Sequence, residues 1–148
     1  MKKKLRLIGL VAVVLCFASS LFAQSIEGIW KTVDDETGKT KSEVQLEIKD
    51  GLLYGTITKL YKEPGEDLDP LCTECSGINK DKKIIGMQIV NGLEKSGVDW
   101  KKEDGILDPA NGKLYFCKMW LDSDDPKELK VRGYIGFLYR TQTWYKVK

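Results

Sequence analysis

The sequence predicts an all-β protein, a single antiparallel up-and-down β-barrel of about eight strands. After residue 23, short runs of alternating apolar and polar residues follow one another, separated by turns rich in Gly, Asp, Asn and Pro. No segment shows a sustained helical period. Gly55, Gly86, Gly133 and Gly136 lie inside or beside these runs, as expected in a strongly coiled sheet. Closing such a sheet removes its exposed edges, and the nearly sequential hairpins favour a barrel over the alternative, a two-sheet sandwich.

The first three predicted strands form an antiparallel meander. Residues 29–33 form the first strand, and a turn follows at residues 35–38. Residues 42–49 then alternate, with one apolar and one polar face. Asp50-Gly51 predicts a two-residue hairpin, because both residues tolerate positive φ, and residues 52–60 return as the third strand.

The second half of the chain predicts five more strands. A long loop over residues 61–83 contains Pro, Gly and Asp turn residues, and a strand at 84–90 follows it. We predict a short linker at 91–97 and a strand at 98–100. A strong turn at 108–112 precedes the remaining strands at 113–121, 129–135 and 138–147.

The N-terminus is typical of a secretory signal peptide. Four basic residues within the first six precede an apolar run at 7–17, and the segment Ser19-Ser20-Leu21-Phe22-Ala23 provides a cleavage region. The apolar run is shorter than the roughly 20 residues of a membrane span. Cys16 suggests a lipid anchor as an alternative, but Leu15 stands where a small residue is expected. We therefore expect a signal peptide at 1–23, a single barrel domain at 24–148 without a transmembrane segment, and a periplasmic or secreted location.

Charge and composition narrow the function classes. The chain has 24 basic and 22 acidic residues, but four of the bases and none of the acids belong to the signal, so the mature net charge is −2. This balance gives no electrostatic argument for nucleic-acid binding. Histidine, the commonest general base and metal ligand, is absent from the sequence. We expect no catalytic residue, no metal and no cofactor; the alternative is an enzyme that works through carboxylates or tyrosine.

The order of several short motifs resembles one known family. These motifs are Gly28-Ile29-Trp30, Gly51-Leu52-Leu53-Tyr54-Gly55, Cys72-x-x-Cys75-x-Gly77, Ile106-Leu107-Asp108-Pro109, Asn111-Gly112-Lys113, Lys130-Val131-Arg132-Gly133-Tyr134-Ile135-Gly136 and Arg140-Thr141-Gln142-Thr143-Trp144. Together they are similar to the exported bacterial proteins grouped as domain of unknown function 2147. The resemblance implies a lipocalin-like, calycin-type barrel. It implies no activity and carries no functional residues.

The calycin resemblance also implies a closure device at the start of the barrel. In that device an arginine of the last strand stacks on a tryptophan of the first and donates hydrogen bonds to backbone carbonyls. Gly28 and Trp30 match its first-strand part. A guanidinium over an indole is a favourable cation–π pair, and we assign the arginine to Arg140, with Arg132 as second choice.

Three cysteines remain after signal removal: Cys72, Cys75 and Cys117. An odd count in an oxidising compartment predicts one disulfide and one free thiol. Chain entropy favours a bridge from Cys72 or Cys75 to Cys117 over the short Cys72–Cys75 bridge, although native strain can reverse this order. The pairing therefore stays open. Redox chemistry at the Cys-x-x-Cys pair is disfavoured by the acidic residues around it.

The aromatic residues are the best argument for a ligand. Candidate ligand-binding residues are Tyr54, Trp100, Tyr115, Tyr139 and Trp144. In the last strand, a face of Tyr and Thr residues starting at Tyr139 would line a cavity, although an eight-stranded barrel can also be filled by its own side chains. Our leading hypothesis is non-enzymatic binding of a small apolar or amphipathic molecule. The first alternative is a solid barrel that contacts a protein partner through loop 62–83.

Overall fold

The computed structural model describes residues 24–147, and the predicted signal peptide lies outside them. These residues form a closed barrel of eight antiparallel strands, which confirms the predicted fold class. The strands are β1 (Gly28–Val33), β2 (Thr40–Lys49), β3 (Leu52–Leu60), β4 (Gln88–Ser96), β5 (Asp99–Asp108), β6 (Lys113–Leu121), β7 (Glu128–Ile135) and β8 (Leu138–Lys146). A single 3₁₀ turn, Gly77–Asn79, is the only helix in the described part, and no helix there is long and apolar enough to cross a membrane.

Each strand pairs with the next one in sequence, and β8 pairs with β1. The closing register places Trp30 opposite Lys146 and Lys31 opposite Tyr145. This last ladder provides hydrogen-bond partners for the backbone groups of both terminal strands and leaves the sheet without an exposed edge strand. A two-sheet sandwich is therefore excluded.

Because the strands alternate in direction, their connections fall at two ends of the barrel. The closed end carries the segment before β1 and the β2–β3, β4–β5 and β6–β7 turns. The open end carries the β1–β2, β3–β4, β5–β6 and β7–β8 connections. At the closed end, Asp50 and Gly51 both have positive φ, 52° and 78°, as the predicted hairpin requires.

The core is packed toward the closed end. Its largest fully buried side chains include Trp30 in β1, Leu46 in β2, Met119 in β6, Leu129 in β7 and Trp144 in β8. Each lies in the half of its strand nearer that end. Burial of each such side chain stabilises the fold by roughly 1.5–3 kcal/mol, so this half of the barrel holds the structure together.

The prediction was wrong about the boundaries of β4 and β5. The strand expected at 84–90 begins at Gln88, and the linker expected at 91–97 is mostly strand. Gly92 does adopt positive φ, 68°, but it produces a shift of strand register instead of a turn. Gly86 lies in the turn that ends the long loop, where the Met87 N–H donates to the Ile84 carbonyl. β5 then continues to Asp108, well past the predicted residues 98–100.

Candidate functional site

A cavity of about 500 Å³ occupies the open half of the barrel. Its apolar lining comes from Ile89, Ile106, Leu107, Val131, Ile135, Leu138 and Trp144. Gly133 on β7 also lines the cavity, and a Cβ placed there would meet only the Cβ of Tyr115, at 3.8 Å. The missing side chain leaves a notch in the wall between β6 and β8. Ligand sites of proteins typically enclose 300–1,000 Å³, so the volume suits one small molecule.

Asp108, Asn111 and Tyr115 form a hydrogen-bonded cluster on the cavity wall. The two Asp108 carboxylate oxygens accept from the Ala110 N–H at 2.9 Å and the Asn111 side-chain amide at 3.0 Å. The same Asn111 nitrogen donates to the Tyr115 hydroxyl oxygen at 2.9 Å. The Lys113 N–H donates to the Asn111 side-chain oxygen at 2.9 Å, which fixes the orientation of the amide. Asp108 thus shapes the turn, and the cluster orients the tyrosine.

Two further polar groups line the cavity from β8. The Arg140 Nε donates to an Asp35 carboxylate oxygen at 3.0 Å, which ties β8 to the β1–β2 loop. Nearer the closed end, the Gln142 side-chain oxygen accepts a hydrogen bond from the Trp144 indole N–H at 3.4 Å. The cavity wall is therefore mostly apolar from its base to its mouth, and it carries polar groups at both levels. Among residues 24–147, no cluster of three or more Cys, Asp and Glu side chains is suited to hold a metal ion.

A disulfide between Cys72 and Cys75 shapes the loop beside the cavity mouth. Their Cα atoms are 5.3 Å apart, and both residues are buried. Between them, the Glu74 carbonyl oxygen would lie 1.9 Å from a Cβ placed on Gly112. The disulfide loop and the β5–β6 turn are therefore in direct backbone contact.

The alternative pairings with Cys117 are wrong. Cys117 is a free thiol, fully buried in the wall of β6. Burial raises the pKa of this thiol to about 12, because the apolar surroundings disfavour the charged thiolate. Cys117 is consequently protonated at neutral pH and acts as a small apolar core residue.

The cation over Trp30 is Lys146, which corrects the assignment to Arg140 or Arg132. The Lys146 ammonium lies 4.5 Å from the centre of the indole and donates to the backbone carbonyls of Ser25, at 3.0 Å, and Glu27. The register between β1 and β8 explains why Lys146 covers Trp30, since the two residues are directly opposite each other. Arg140 is six residues nearer the open end of β8, about 20 Å away along a strand.

Arg132 lies on the outer surface of the barrel. Its guanidinium is 5.1 Å from the Trp120 ring and 4.3 Å from the Tyr139 ring, and its Nε donates to the Thr141 hydroxyl at 2.7 Å. It therefore joins the outer faces of β6, β7 and β8 and has no part in the closure.

The predicted ligand-binding residues separate into two groups. Tyr115 and Trp144 point into the cavity, whereas Tyr139 borders its mouth with its ring on the outer face of β8, against Arg132 and Tyr134. Trp100 is instead buried opposite Met119 near the closed end, and Tyr54 packs beside Gly92; neither lines the cavity.

The inward face of β8 was also predicted incorrectly. The side carrying Gln142 and buried Trp144 points inward, whereas Thr141, Thr143 and Tyr145 alternate with it. The sequence interpretation missed Gln142 and assigned Asp108 only to a turn. For Gln142 a signal was available, because a buried Trp144 fixes which alternate residues of β8 face the core.

Lys146→Met should lower the free energy of unfolding by about 1–2 kcal/mol. The variant keeps much of the apolar stem but loses the cation–π contact and the hydrogen bonds to Ser25 and Glu27. Urea denaturation measures the change. Lys146→Arg should recover most of the loss, and the exposed Lys101→Met serves as the control. Equal stability of Lys146→Met and Lys101→Met would contradict a stabilising role for the contacts of Lys146 with Trp30, Ser25 and Glu27.

Comparison with known proteins agrees with this architecture. The model of the family described as "Uncharacterized protein conserved in bacteria (DUF2147)" matches residues 28–146, nearly the whole barrel. The chain belongs to this family. A solved structure of a Helicobacter pylori protein, described as belonging to the lipocalin family, superimposes with a TM-score of 0.67. It is 18% identical, and the match covers 84% of each chain, so it shows that this DUF2147 member has a lipocalin-like fold. No curated protein matches the chain significantly.

Proposed function

We propose that this DUF2147 protein is an exported, non-enzymatic carrier that binds a small amphipathic molecule inside its barrel. The basic and apolar N-terminal segment supports export to the periplasm or the exterior. The lipocalin-like barrel supports ligand binding, since barrels of eight strands can hold one small ligand.

The observation that carries the proposal is a cavity whose wall is mostly apolar and which carries a hydrogen-bonded polar cluster, Asp108, Asn111 and Tyr115, on one side. An apolar chain against Ile89, Val131 and Trp144 would leave water, which contributes about 0.8 kcal/mol for each methylene buried. The cluster around Tyr115 lies where the polar end of such a molecule would remain. This arrangement favours a molecule with a distinct apolar body and polar end.

Gly133→Phe tests the proposal by filling the cavity. The Gly133 backbone has no positive φ, and the space beside it is open, so an aromatic side chain can enter without backbone strain. We expect the fluorescent apolar probe N-phenyl-1-naphthylamine to bind the wild-type mature protein. Gly133→Phe should weaken this binding at least about tenfold. The added ring occupies part of the cavity, so the probe buries less apolar surface, by an amount equivalent to roughly two methylene groups.

Thr58→Phe is the matched control, because it adds the same ring at an exposed position on β3. It should bind the probe as wild type does. Circular dichroism and urea denaturation of both variants would establish that the barrel is intact. Equal probe binding by wild type and a folded Gly133→Phe variant, or no binding by wild type, would refute the proposal.

A further inference from the structure

An exposed apolar patch lies at the open end of the barrel, on the hairpin between β7 and β8. The turn of this hairpin is Gly136-Phe137, and the Phe137 side chain is 92% exposed. Ile135 and Leu138, paired on either side of the turn, are also exposed. The turn requires a glycine at the positive φ of 58°, but it does not require an aromatic residue after it. The folding of the hairpin therefore does not explain Phe137.

A groove of about 510 Å³ runs beside this hairpin, between β5 and β7 on the outside of the barrel. Leu114 and Phe116 of β6 form its floor, and Tyr134 and Ile135 of β7 form the wall next to the hairpin turn. Phe116 and Tyr134 meet edge to face, with ring centres 5.3 Å apart. The volume is within the range that holds a drug-sized molecule, and so is ample for one phenyl ring. The protruding ring of Phe137 and a groove with an apolar floor thus adjoin on one face of the molecule.

The groove also carries three charged side chains, Glu103 and Asp104 of β5 and Lys113 of β6. None of the three has an ion-pair partner among residues 24–147. Lys113 is paired with Asp108 in the β5–β6 ladder, whereas the two acids lie at the register shift nearer the closed end. The opposite charges therefore do not meet within one copy. A second copy, rotated by half a turn, would bring Lys113 against the acids and provide the missing partners.

The patch is large enough for a weak, specific contact. The exposed parts of Phe137 and Tyr139 and of the aliphatic side chains around them leave roughly 450 Å² of apolar surface on each copy. Two copies would bury about twice this area together with the polar rim of the groove, near the roughly 1,200 Å² at which specific interfaces begin. A lipid surface fits less well, because it would bring the groove carboxylates toward anionic headgroups and remove their hydration.

We propose that two copies of this chain form a two-fold symmetric dimer in which Phe137 of each copy inserts into the groove of the other, against Leu114 and Phe116. Because the ring and the groove adjoin on one face, each contact occurs twice and the assembly closes at two copies. The buried aromatic ring provides the main apolar contact. Lys113 of each copy faces the two carboxylates of the other, which fixes the relative orientation. This inference goes beyond the carrier function and does not depend on it.

Sedimentation velocity of the mature chain, residues 24–148, tests the dimer. Measurements run from about 1 to about 300 μM, to bracket the micromolar dissociation constant expected for an interface of this size. Phe137→Ser should raise this constant at least about a hundredfold, because both copies lose the buried ring. Val98→Ser is the matched control: Val98 is 85% exposed and follows Gly97 in the two-residue β4–β5 turn at the closed end. It should leave the dimer unchanged, and circular dichroism would establish that both variants are folded.

A pair of charge reversals tests the two-fold arrangement itself. Lys113→Glu and Glu103→Lys should each weaken the dimer about fivefold, because each brings like charges together at two places. Mixed in equal amounts, the two variants should associate more tightly than either does alone, since opposite charges face each other again. A mixture that associates no better than the separate variants would overturn the arrangement.

Three further results would overturn the dimer: a wild-type chain that stays monomeric over the whole range, an equal effect of Phe137→Ser and Val98→Ser, or a monomer that cosediments with phosphatidylethanolamine–phosphatidylglycerol vesicles and loses this binding in Phe137→Ser. The last result would assign the patch to a lipid surface. None of these results bears on the carrier function, whose failure would appear separately as probe binding that Gly133→Phe does not reduce.

Discussion

Gly112→Ala is expected to lower the free energy of unfolding by about 2–5 kcal/mol. Gly112 has φ of 70°, a region that costs an L-residue roughly 1–2 kcal/mol. The new Cβ would also lie 1.9 Å from the Glu74 carbonyl oxygen. Because that oxygen belongs to the backbone of the disulfide loop, no side-chain rotation relieves the overlap, and the loop must move away at a further cost of about 1–3 kcal/mol. Urea denaturation of the oxidised protein measures the sum.

Gly97→Ala separates the two causes. Gly97 has nearly the same φ, 65°, but a Cβ there meets nothing within 4 Å. This control should lose only the backbone contribution, about 1–2 kcal/mol. If both variants lost the same stability, the packing of the disulfide loop on the β5–β6 turn would contribute nothing. The displaced loop should also alter probe binding in Gly112→Ala alone, since Asn111 beside it lines the cavity.

Features determined by local sequence were predictable. The Asp50-Gly51 hairpin follows from two adjacent residues that accept positive φ, and the alternation before it fixes the inward face of β2. The same rule failed at Asn91-Gly92, which is also a favoured turn dipeptide. There, pairing with β3 and β5 on both sides keeps the chain extended, and the glycine becomes an irregularity within β4.

Features determined by barrel closure were not predictable. Whether Arg140 or Lys146 covers Trp30 depends on the register between the first and last strands, which are separated by the whole domain. That register results from the accumulated shifts of all the intervening strand pairs. The cavity likewise depends on several strands at once, because Gly133 leaves space only where Tyr115 and Arg140 flank it.

The disulfide pairing could not be predicted from chain entropy alone. Chain entropy in the unfolded state favours the longer loops to Cys117, yet the native chain bridges Cys72 to Cys75. Cys117 points into the barrel from the middle of β6, where the wall is already packed. The entropy of the unfolded chain therefore does not decide a pairing that requires the loop to reach the barrel interior.

Trp30→Ala should destabilise the protein by about 3–5 kcal/mol, whereas Arg140→Ala should cost less than about 1 kcal/mol. Trp30 is fully buried, and its indole N–H donates to the Ile26 carbonyl at 2.8 Å. Truncation leaves a large cavity in the packed half, an unpaired carbonyl and a lysine without its aromatic partner. Arg140 makes an exposed salt bridge, a type that contributes little to stability.

Urea denaturation of both variants at low temperature measures the contrast. Because a loss of this size is comparable to the total stability of many domains, Trp30→Phe provides a milder test that keeps an aromatic ring under Lys146. It should lie between wild type and Trp30→Ala. If Arg140→Ala were as destabilised as Trp30→Ala, the closure would depend on the guanidinium after all. A large loss confined to the Trp30 variants instead locates the stabilising contact at the closed end, which leaves Arg140 free to line the cavity mouth.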